Sequence, residues 1–387
     1  MSVKPISQPG KLSRNVVVLS WVSFFQDASS EMLYPVLPLF LTGVLGATPA
    51  AVGLIEGVAE GLSSVLKGVF GKLADRMARR PLVAAGYSLS AIAKVLIALA
   101  AGWPFVLFCR LLDRVGKGVR TSPRDALIAS DTPPELRGRA FGFHRAIDTA
   151  GAVVGPLIGL GLYELLNHQL RPLFLISFIP ALVSIALIFL VREGPLPVRT
   201  APPTSEQGVL PRRYWRAIAI ITVFGLVNFS DALIILRMKQ LGLSFVAVML
   251  AYALYNASYA LLSYPAGKLA DRLPKQLVFA AGLGVFAVAY LGFGLAASAL
   301  WVWPLLIIYG GYSALTDGVG KAWISSLVPE TSVGTALGYY QGASGVATVV
   351  AGIWAGLLWG SGGTVPFVIS GIAAAVIGLI LTRVDIR

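Results

Sequence analysis

The sequence predicts an all-α polytopic membrane protein, and its composition, its recurrent apolar runs and an internal repeat all indicate this class. Of the 387 residues, 56% are hydrophobic and only 13% are charged, and the mean hydropathy is +0.78. Soluble domains carry roughly 25% charged residues, so this chain lacks the polar side chains needed to cover a soluble surface. Apolar runs long enough to cross about 30 Å of hydrocarbon recur along its whole length.

The apolar runs predict twelve membrane-spanning helices, called spans 1 to 12 in chain order. Residues 192–213, between spans 6 and 7, are rich in proline and polar residues, which is typical of a linker. We therefore expect a six-span first half (1–191), a cytoplasmic linker (192–213) and a six-span second half (214–387). The spans occupy about residues 15–43, 50–71, 82–101, 104–126, 138–165, 172–191, 215–237, 243–266, 276–298, 302–327, 335–359 and 364–383.

Lysine and arginine are concentrated in alternate loops, and this asymmetry predicts the orientation of the chain. They crowd the segments before span 1, between spans 2 and 3, 4 and 5, 6 and 7, and 8 and 9, and after span 12. The positive-inside rule places such segments in the cytoplasm. Both termini are therefore expected there, in a cell membrane that in a bacterium is the inner one. The rule also accounts for the net charge of +13 without a nucleic-acid partner.

An internal repeat relates the two predicted halves. The segment GKLADRMARR (71–80) returns as GKLADRLPKQ (267–276), 196 residues later, and DRVGKG (113–118) returns as DGVGKA (317–322), 204 residues later. Asp27 of span 1 has a counterpart in Asp231 of span 7, also 204 residues on. Two related six-span halves with substrate bound between them are a recurrent plan of membrane transporters.

These motifs resemble those of the major facilitator superfamily, and the resemblance covers essentially the whole chain. GKLADRMARRPL (71–82) resembles the signature of the loop between spans 2 and 3, and RVGKG (114–118) resembles the span-4 motif R-x-x-Q-G. GAVVGPLIG (151–159) resembles the antiporter motif of span 5, and PVLP (35–38) resembles an element of twelve-span drug/proton antiporters. The resemblance implies a transporter that works by alternating access, draws its energy from a proton gradient and has no bound cofactor. The span-5 motif is typical of exporters.

The resemblance also implies roles for two sets of residues. A cytoplasmic gate would contain Gly71, Asp75, Arg76, Arg79 and Arg80, with Asp271 and Arg272 as its second copy. Asp75 would face the start of span 11, where the helix dipole favours an anion; alternatively, these are ordinary positive-inside residues. An antiporter-type seal would contain Gly151, Gly155, Pro156 and Gly159, although generic close packing of helices would use the same small residues.

Span 4 carries an unusual charged face. Arg110, Asp113, Arg114 and Lys117 follow one another at helical spacing and share one side of the helix. A charge facing lipid would cost about 2.5–3.5 kcal/mol, so this side should line a central cavity or a helix interface. Asp113 can neutralise one of the cations, and the family resemblance implies that Arg114 tunes a nearby carboxylate.

Asp27 and Glu31 lie one helical turn apart in span 1, ahead of two prolines that should kink the helix. A lone carboxylate within the membrane is a candidate proton carrier; alternatively, Asp27 only pairs with a cation such as Arg114, Arg145 or Lys94. The other candidates for coupling or for the substrate cavity are Arg145 and Asp148 of span 5, Asp231 of span 7, and Asp317 and Lys321 of span 10. Internal pairing is the alternative for span 5 and span 10, and Tyr252, Tyr255 and Tyr259 of span 8 either line a pocket or merely pack.

We therefore expect a monomeric, proton-coupled exporter of a small molecule, either a drug-like compound or a metal or metal chelate. The cations Arg110, Arg114, Lys117 and Arg145 favour a different substrate, an organic or phosphorylated anion carried by uptake or exchange. The sequence contains no catalytic motif, no metal-ligand spacing and a single cysteine, Cys109. An enzyme or a non-transporting receptor is therefore the least expected class.

Overall fold

The computed structural model describes residues 12–73, 78–132, 137–192, 210–329, 333–360 and 362–384. Within these ranges the chain forms fifteen α-helices and a short 3-10 turn at Ala299–Trp301. The helices are α1 (Arg14–Glu31), α2 (Val36–Gly43), α3 (Pro49–Leu73), α4 (Arg79–Ala98), α5 (Trp103–Ser130), α6 (Arg137–Leu165), α7 (Leu170–Ile176), α8 (Phe178–Ile188), α9 (Arg212–Gly225), α10 (Asp231–Gln240), α11 (Phe245–Arg272), α12 (Lys275–Leu295), α13 (Val302–Ser326), α14 (Val333–Leu357) and α15 (Thr364–Arg383).

These helices make the twelve expected passes, because three spans are built from two helices each. Span 1 consists of α1 and α2, span 6 of α7 and α8, and span 7 of α9 and α10; spans 2–5 are α3–α6 and spans 8–12 are α11–α15. Among the described residues, eight helical stretches are long and apolar enough to cross a membrane by length and composition alone. The other four passes are the interrupted spans 1 and 7, the charged span 4 and the glycine-rich span 11. The protein is a multi-pass membrane protein.

Spans 1 and 7 are both interrupted near their middle. In span 1 the helix ends at Glu31 and resumes at Val36, directly after Pro35, which has no N–H for the helical ladder. The sequence predicted a continuous helix over 215–237. In the structure the first helix of span 7 ends at Gly225, and the second begins at Asp231. No proline lies in this second break; Ser230 instead caps the new helix by accepting a hydrogen bond from the Ala232 N–H.

Both halves have their chain ends and the linker at one end of the bundle, called the linker end. There the Asn15 side chain at the start of span 1 donates to the Arg192 carbonyl at 2.7 Å and accepts from its N–H at 3.0 Å. A cavity of about 640 Å³ between the two halves lies at this end, lined by residues of spans 4, 5, 8 and 10 and by Lys275 at the start of span 9. Residues 193–209 lie outside the described ranges, so the limits of the linker stay a prediction.

The opposite end, called the distal end, is closed by direct contact between the halves. Span 2 packs on span 11 backbone to backbone: Gly53 abuts the Gly352 carbonyl, and a Cβ on Gly356 would lie 2.6 Å from the Cα of Ala50. Near the same end, the rings of Tyr163 and Phe245 stack with centroids 3.8 Å apart. The space between the halves is therefore reached from the linker end.

Candidate functional site

The glycines of the span-5 motif bring span 5 into backbone contact with span 1. A Cβ on Gly151 would lie 2.5 Å from the Phe24 carbonyl oxygen, and one on Gly155 would lie 2.7 Å from that of Ala28. A Cβ on Gly159, past Pro156 in the same helix, would lie 2.9 Å from the Met32 carbonyl oxygen of span 1. Because glycine lets helix backbones approach so closely, this stripe sets the distance between the two spans.

The close approach places two carboxyl groups face to face. Asp27 lies one turn after Phe24 and Asp148 lies one turn before Gly151, and their carboxyl groups are close enough to interact directly. A hydrogen bond between two carboxyl groups requires one proton, since two carboxylates can only accept. Asp148 is only 7% exposed. This pair can therefore hold a proton between span 1 and span 5.

Arg145 connects this pair to the other half of the protein. Its Nη1 lies 3.3 Å from Asp148 Oδ2, and its Nη2 donates to the hydroxyl of Tyr259 in span 8 at 3.4 Å. Tyr259 in turn donates to Asp317 of span 10 at 2.8 Å. The Arg145 side chain is 62% exposed and lines the cavity between the halves. A chain of polar contacts thus runs from Asp27 to Asp317 across the opening.

Arg110 and Arg114 of span 4 lie in a helix interface with span 2. Arg110 donates to both carboxylate oxygens of Glu56, at 2.9 and 2.7 Å, and also contacts Asp113 at 3.3 Å. Arg114 pairs with Glu60 at 2.9 Å. Of the two placements that the sequence left open for this face, these arginines take the interface. Glu56 and Glu60 were not predicted to be site residues, although their four-residue spacing on span 2 matches that of the two arginines.

Lys117 is the member of the span-4 face that turns towards span 1. It is half-buried and close enough to Asp27 and Glu31 for their charges to interact. Lys94 of span 3, a suggested partner of Asp27, is buried and donates to the Ser29 hydroxyl at 2.6 Å.

The two helix interruptions meet between the halves. Tyr34, in the break of span 1, lies 3.3 Å by its hydroxyl from the Ser230 hydroxyl at the end of the break in span 7. Glu31 accepts a hydrogen bond from Tyr252 at 2.8 Å, and Asp231 accepts one from the hydroxyl of Tyr309 in span 10 at 2.6 Å. Glu31, Tyr34, Ser230 and Asp231 are only half-buried in mid-span.

Tyrosine rings surround these two carboxyl groups. Tyr34 stacks on Tyr252 with centroids 5.3 Å apart, and Tyr255 stacks on Tyr309 at 5.1 Å. Sequence reasoning left the span-8 tyrosines undecided and missed Tyr34 and Tyr309. For the span-8 tyrosines, the sequence does contain a signal: the spacing of Tyr252, Tyr255 and Tyr259 puts all three on one face of the helix.

The span-10 residues Asp317 and Lys321 do not pair with each other. Both line the cavity, but among the described residues Asp317 receives its hydrogen bond from Tyr259, and no ion pair within 4 Å joins it to Lys321. His144, one turn before Asp148, also lines this cavity; it is 4% exposed and neither ring nitrogen has a hydrogen-bond partner among the described residues.

The residues assigned to the gate are only partly covered by the structure. Asp75 and Arg76 lie outside the described residues, as do the side-chain surroundings of Gly71 and Asp271. Arg79 donates to the Ala126 carbonyl of span 4 at 3.3 Å, and Arg80 donates to the Phe189 carbonyl at the end of span 6 at 3.0 Å. Arg272 is exposed on a shallow cavity of about 620 Å³ shared with Arg213, Lys275 and Arg383.

Known proteins resemble this chain in sequence and in fold. The sequence profile of the Major Facilitator Superfamily matches residues 19–236 and 217–386. An uncharacterized MFS-type transporter of Methanocaldococcus jannaschii is 33% identical over 380 residues, covering 96% of this chain and 95% of the relative. The multi-drug resistance efflux pump PmrA of Streptococcus pneumoniae is 27% identical over 342 residues, covering 84% of each chain. The crystal structure of the nucleoside transporter NupG superimposes with a TM-score of 0.76 at 12% identity, over 96% of this chain and 99% of that chain.

The family profile spans nearly all of the chain, and the M. jannaschii relative exceeds 30% identity over nearly its full length. Together with the paired six-span arrangement, these findings place the chain among membrane transporters rather than enzymes. The protein belongs to the major facilitator superfamily.

Proposed function

We propose that this transporter is a proton-coupled exporter of small organic cations, working by alternating access with its linker end in the cytoplasm. The observation that carries the proposal is a set of three carboxyl groups, in or beside the space between the halves, that lack a directly bonded cation among the described residues. Asp27 faces another carboxyl group, and Glu31 and Asp231 accept hydrogen bonds from tyrosines. Among the described residues, none of these three carboxyl groups lies within 4 Å of a cationic nitrogen.

Two kinds of positive charge can satisfy these groups. A proton fits the Asp27–Asp148 pair, because that pair needs one to form its hydrogen bond. An organic cation fits the space around Glu31 and Asp231, because tyrosine faces attract cations and the carboxylates supply opposite charge. Asp27 and Glu31 are one turn apart on span 1. A cation bound near Glu31 therefore disfavours a proton on Asp27, because both would add positive charge at the same place. Competition of this kind is what exchange of a proton for a cation requires.

Four further observations support export through the linker end. The basic loops favour a cytoplasmic linker end, and the inter-half cavity lies at that end. The span-5 glycine motif resembles that of antiporters. The relatives include proteins named multi-drug resistance efflux pumps.

An anionic substrate is less well supported than the four cations alone would indicate. Of the four cations that favoured it, Arg110 and Arg114 are bound to Glu56 and Glu60, and Arg145 contacts Asp148. These arginines are therefore already compensated by carboxylates of the same half. Lys117 is the remaining cation, and it faces Asp27 and Glu31.

The proposal is tested with the purified protein in liposomes and ethidium as the probe. With an acidic interior and neutral exterior, molecules inserted inside-out should concentrate ethidium inside the liposomes, and collapsing the pH gradient with nigericin should abolish the accumulation. Ethidium accumulation that persists without a pH gradient contradicts proton coupling. Accumulation of an organic anion instead of ethidium contradicts the substrate class.

A further inference from the structure

Arg145 stands between one carboxylate in each half of the protein. In its own half it contacts Asp148 at 3.3 Å; in the other half it contacts Tyr259, whose hydroxyl donates to Asp317 at 2.8 Å. Among the hydrogen bonds that join described residues of the two halves, the Arg145–Tyr259 contact lies at the open end, while those of Tyr34 and Tyr252 lie deeper.

One guanidinium cannot fully compensate two carboxylates on opposite sides. In the open cavity Arg145 stays beside the buried Asp148, and water screens the exposed Asp317. When the linker end closes, water is expelled and the interactions among these charges strengthen severalfold. Closure with both Asp148 and Asp317 ionised would leave one of them without a directly bonded cation as water is expelled, which is unfavourable.

The remaining charged groups nearby have other contacts or lie on one side only. Arg124 of span 4 is bonded to Asp125 and to the Ser23 hydroxyl. His144 is buried beside Asp148 without a hydrogen-bond partner among the described residues. Lys268, Lys275 and Lys321 lie on the Asp317 side, and Lys117 lies on the Asp27 side. Arg145 is thus the cation placed to change partners across the opening.

We propose that Arg145 couples loading to closure by moving from Asp148 to Asp317. This inference rests on the proposed function, since the load is either a proton or an organic cation. A proton shared by Asp27 and Asp148, or a cation bound beside them, offsets the negative charge of Asp148 that holds Arg145. Arg145 then pairs with Asp317, to which it is already linked through the hydroxyl of Tyr259. The two halves meet at the linker end as a result. The empty, unprotonated transporter stays open, so unproductive return is blocked and exchange becomes obligatory.

The test measures closure directly by distances between spin labels. Phe141→Cys and Lys268→Cys place labels on opposite walls of the cavity, in a Cys109→Ala background reconstituted into lipid nanodiscs. The parent protein should shift to the shorter-distance population when the pH falls from 8 to 5. Asp317→Asn and Arg145→Gln should remove most of that shift, and Arg145→Lys should retain part of it. The surface variant Glu164→Gln, which is remote from the cavity, should behave as the parent.

The outcomes separate this inference from the proposed function. Proton release on addition of tetraphenylphosphonium, measured in detergent, reports on loading alone. Asp317→Asn that still releases protons but no longer closes supports the switch. Asp317→Asn that closes like the parent overturns it, while proton release leaves the proposed function intact. A parent protein that neither releases protons nor closes overturns both.

Gel filtration and thermal unfolding show whether each variant is folded. Tyr259→Phe, which keeps the ring, provides a milder variant that should weaken the shift.

Discussion

The carboxyl groups of Asp27 and Asp148 face each other across the contact between spans 1 and 5. This arrangement depends on the glycines that follow Asp148, since only they allow the two backbones to approach so closely. A motif that the sequence relates to antiporters therefore has a local physical effect, which is to bring a second carboxyl group to Asp27. The proposed seal and the proposed proton site share the same helix contact.

Gly155→Val should separate these spans and destabilise the protein. Its Cβ would lie 2.7 Å from the Ala28 carbonyl oxygen, so the helices must shift, at a cost of about 1–3 kcal/mol for overpacking. Thermal unfolding in detergent should show a lower midpoint, and ethidium transport should fall. Gly161→Val is the matched control, because nothing lies within 4 Å of a Cβ there. Equal stability of the two variants would refute the role of the glycine contact.

Glu31→Gln and Asp231→Asn should each weaken the binding of a lipophilic cation. Each change removes one negative charge from the tyrosine-walled space, and we expect a roughly tenfold loss of affinity, which corresponds to about 1.4 kcal/mol. Calorimetric titration of the purified protein with tetraphenylphosphonium at pH 8 measures this loss. Tetraphenylborate, which has the same shape and opposite charge, should not bind. Tight binding of tetraphenylborate, or unchanged affinity in both variants, would rule out this site.

Glu56→Gln should destabilise the fold by about 3–5 kcal/mol, because it leaves Arg110 buried without its main partner. Replacing both residues, with Glu56→Leu and Arg110→Met, should recover most of that loss, since an apolar pair of similar volume needs no compensation. Thermal unfolding of the single and double variants measures the difference. A double variant that is stable but has lost tetraphenylphosphonium binding would instead indicate that Arg110 acts in the substrate site.

The sequence was sufficient to predict the passes and the charged faces, but not which faces meet. Helical spacing puts Arg110 and Arg114 on one side of span 4, and it puts Glu56 and Glu60 on one side of span 2. It contains no information that these two sides face each other, since neighbouring spans are chosen by packing of the whole bundle. Asp27 and Asp148 are separated by 121 residues, and their meeting depends on the same packing. The break in span 7 was missed because no proline marks it.

The repeat gave a similarly partial view of the second half. Asp231 and Asp27 correspond in sequence, yet Asp231 begins a helix and accepts from Tyr309, while Asp27 lies within a helix and faces Asp148. Equivalent positions thus acquire different chemistry from their neighbours. This difference agrees with a division of labour in which the first half holds the proton.

Displacement of a proton from the Asp27–Asp148 pair by a bound cation is the basis of the proposed coupling. It is tested most directly by adding tetraphenylphosphonium to the detergent-purified protein in unbuffered solution with a pH-indicator dye. The parent protein should release roughly one proton per bound cation, by the linkage between the two binding events, and Asp27→Asn should release almost none while still binding the cation. Undiminished proton release from Asp27→Asn, or none from the parent protein while it binds the cation, would contradict the account.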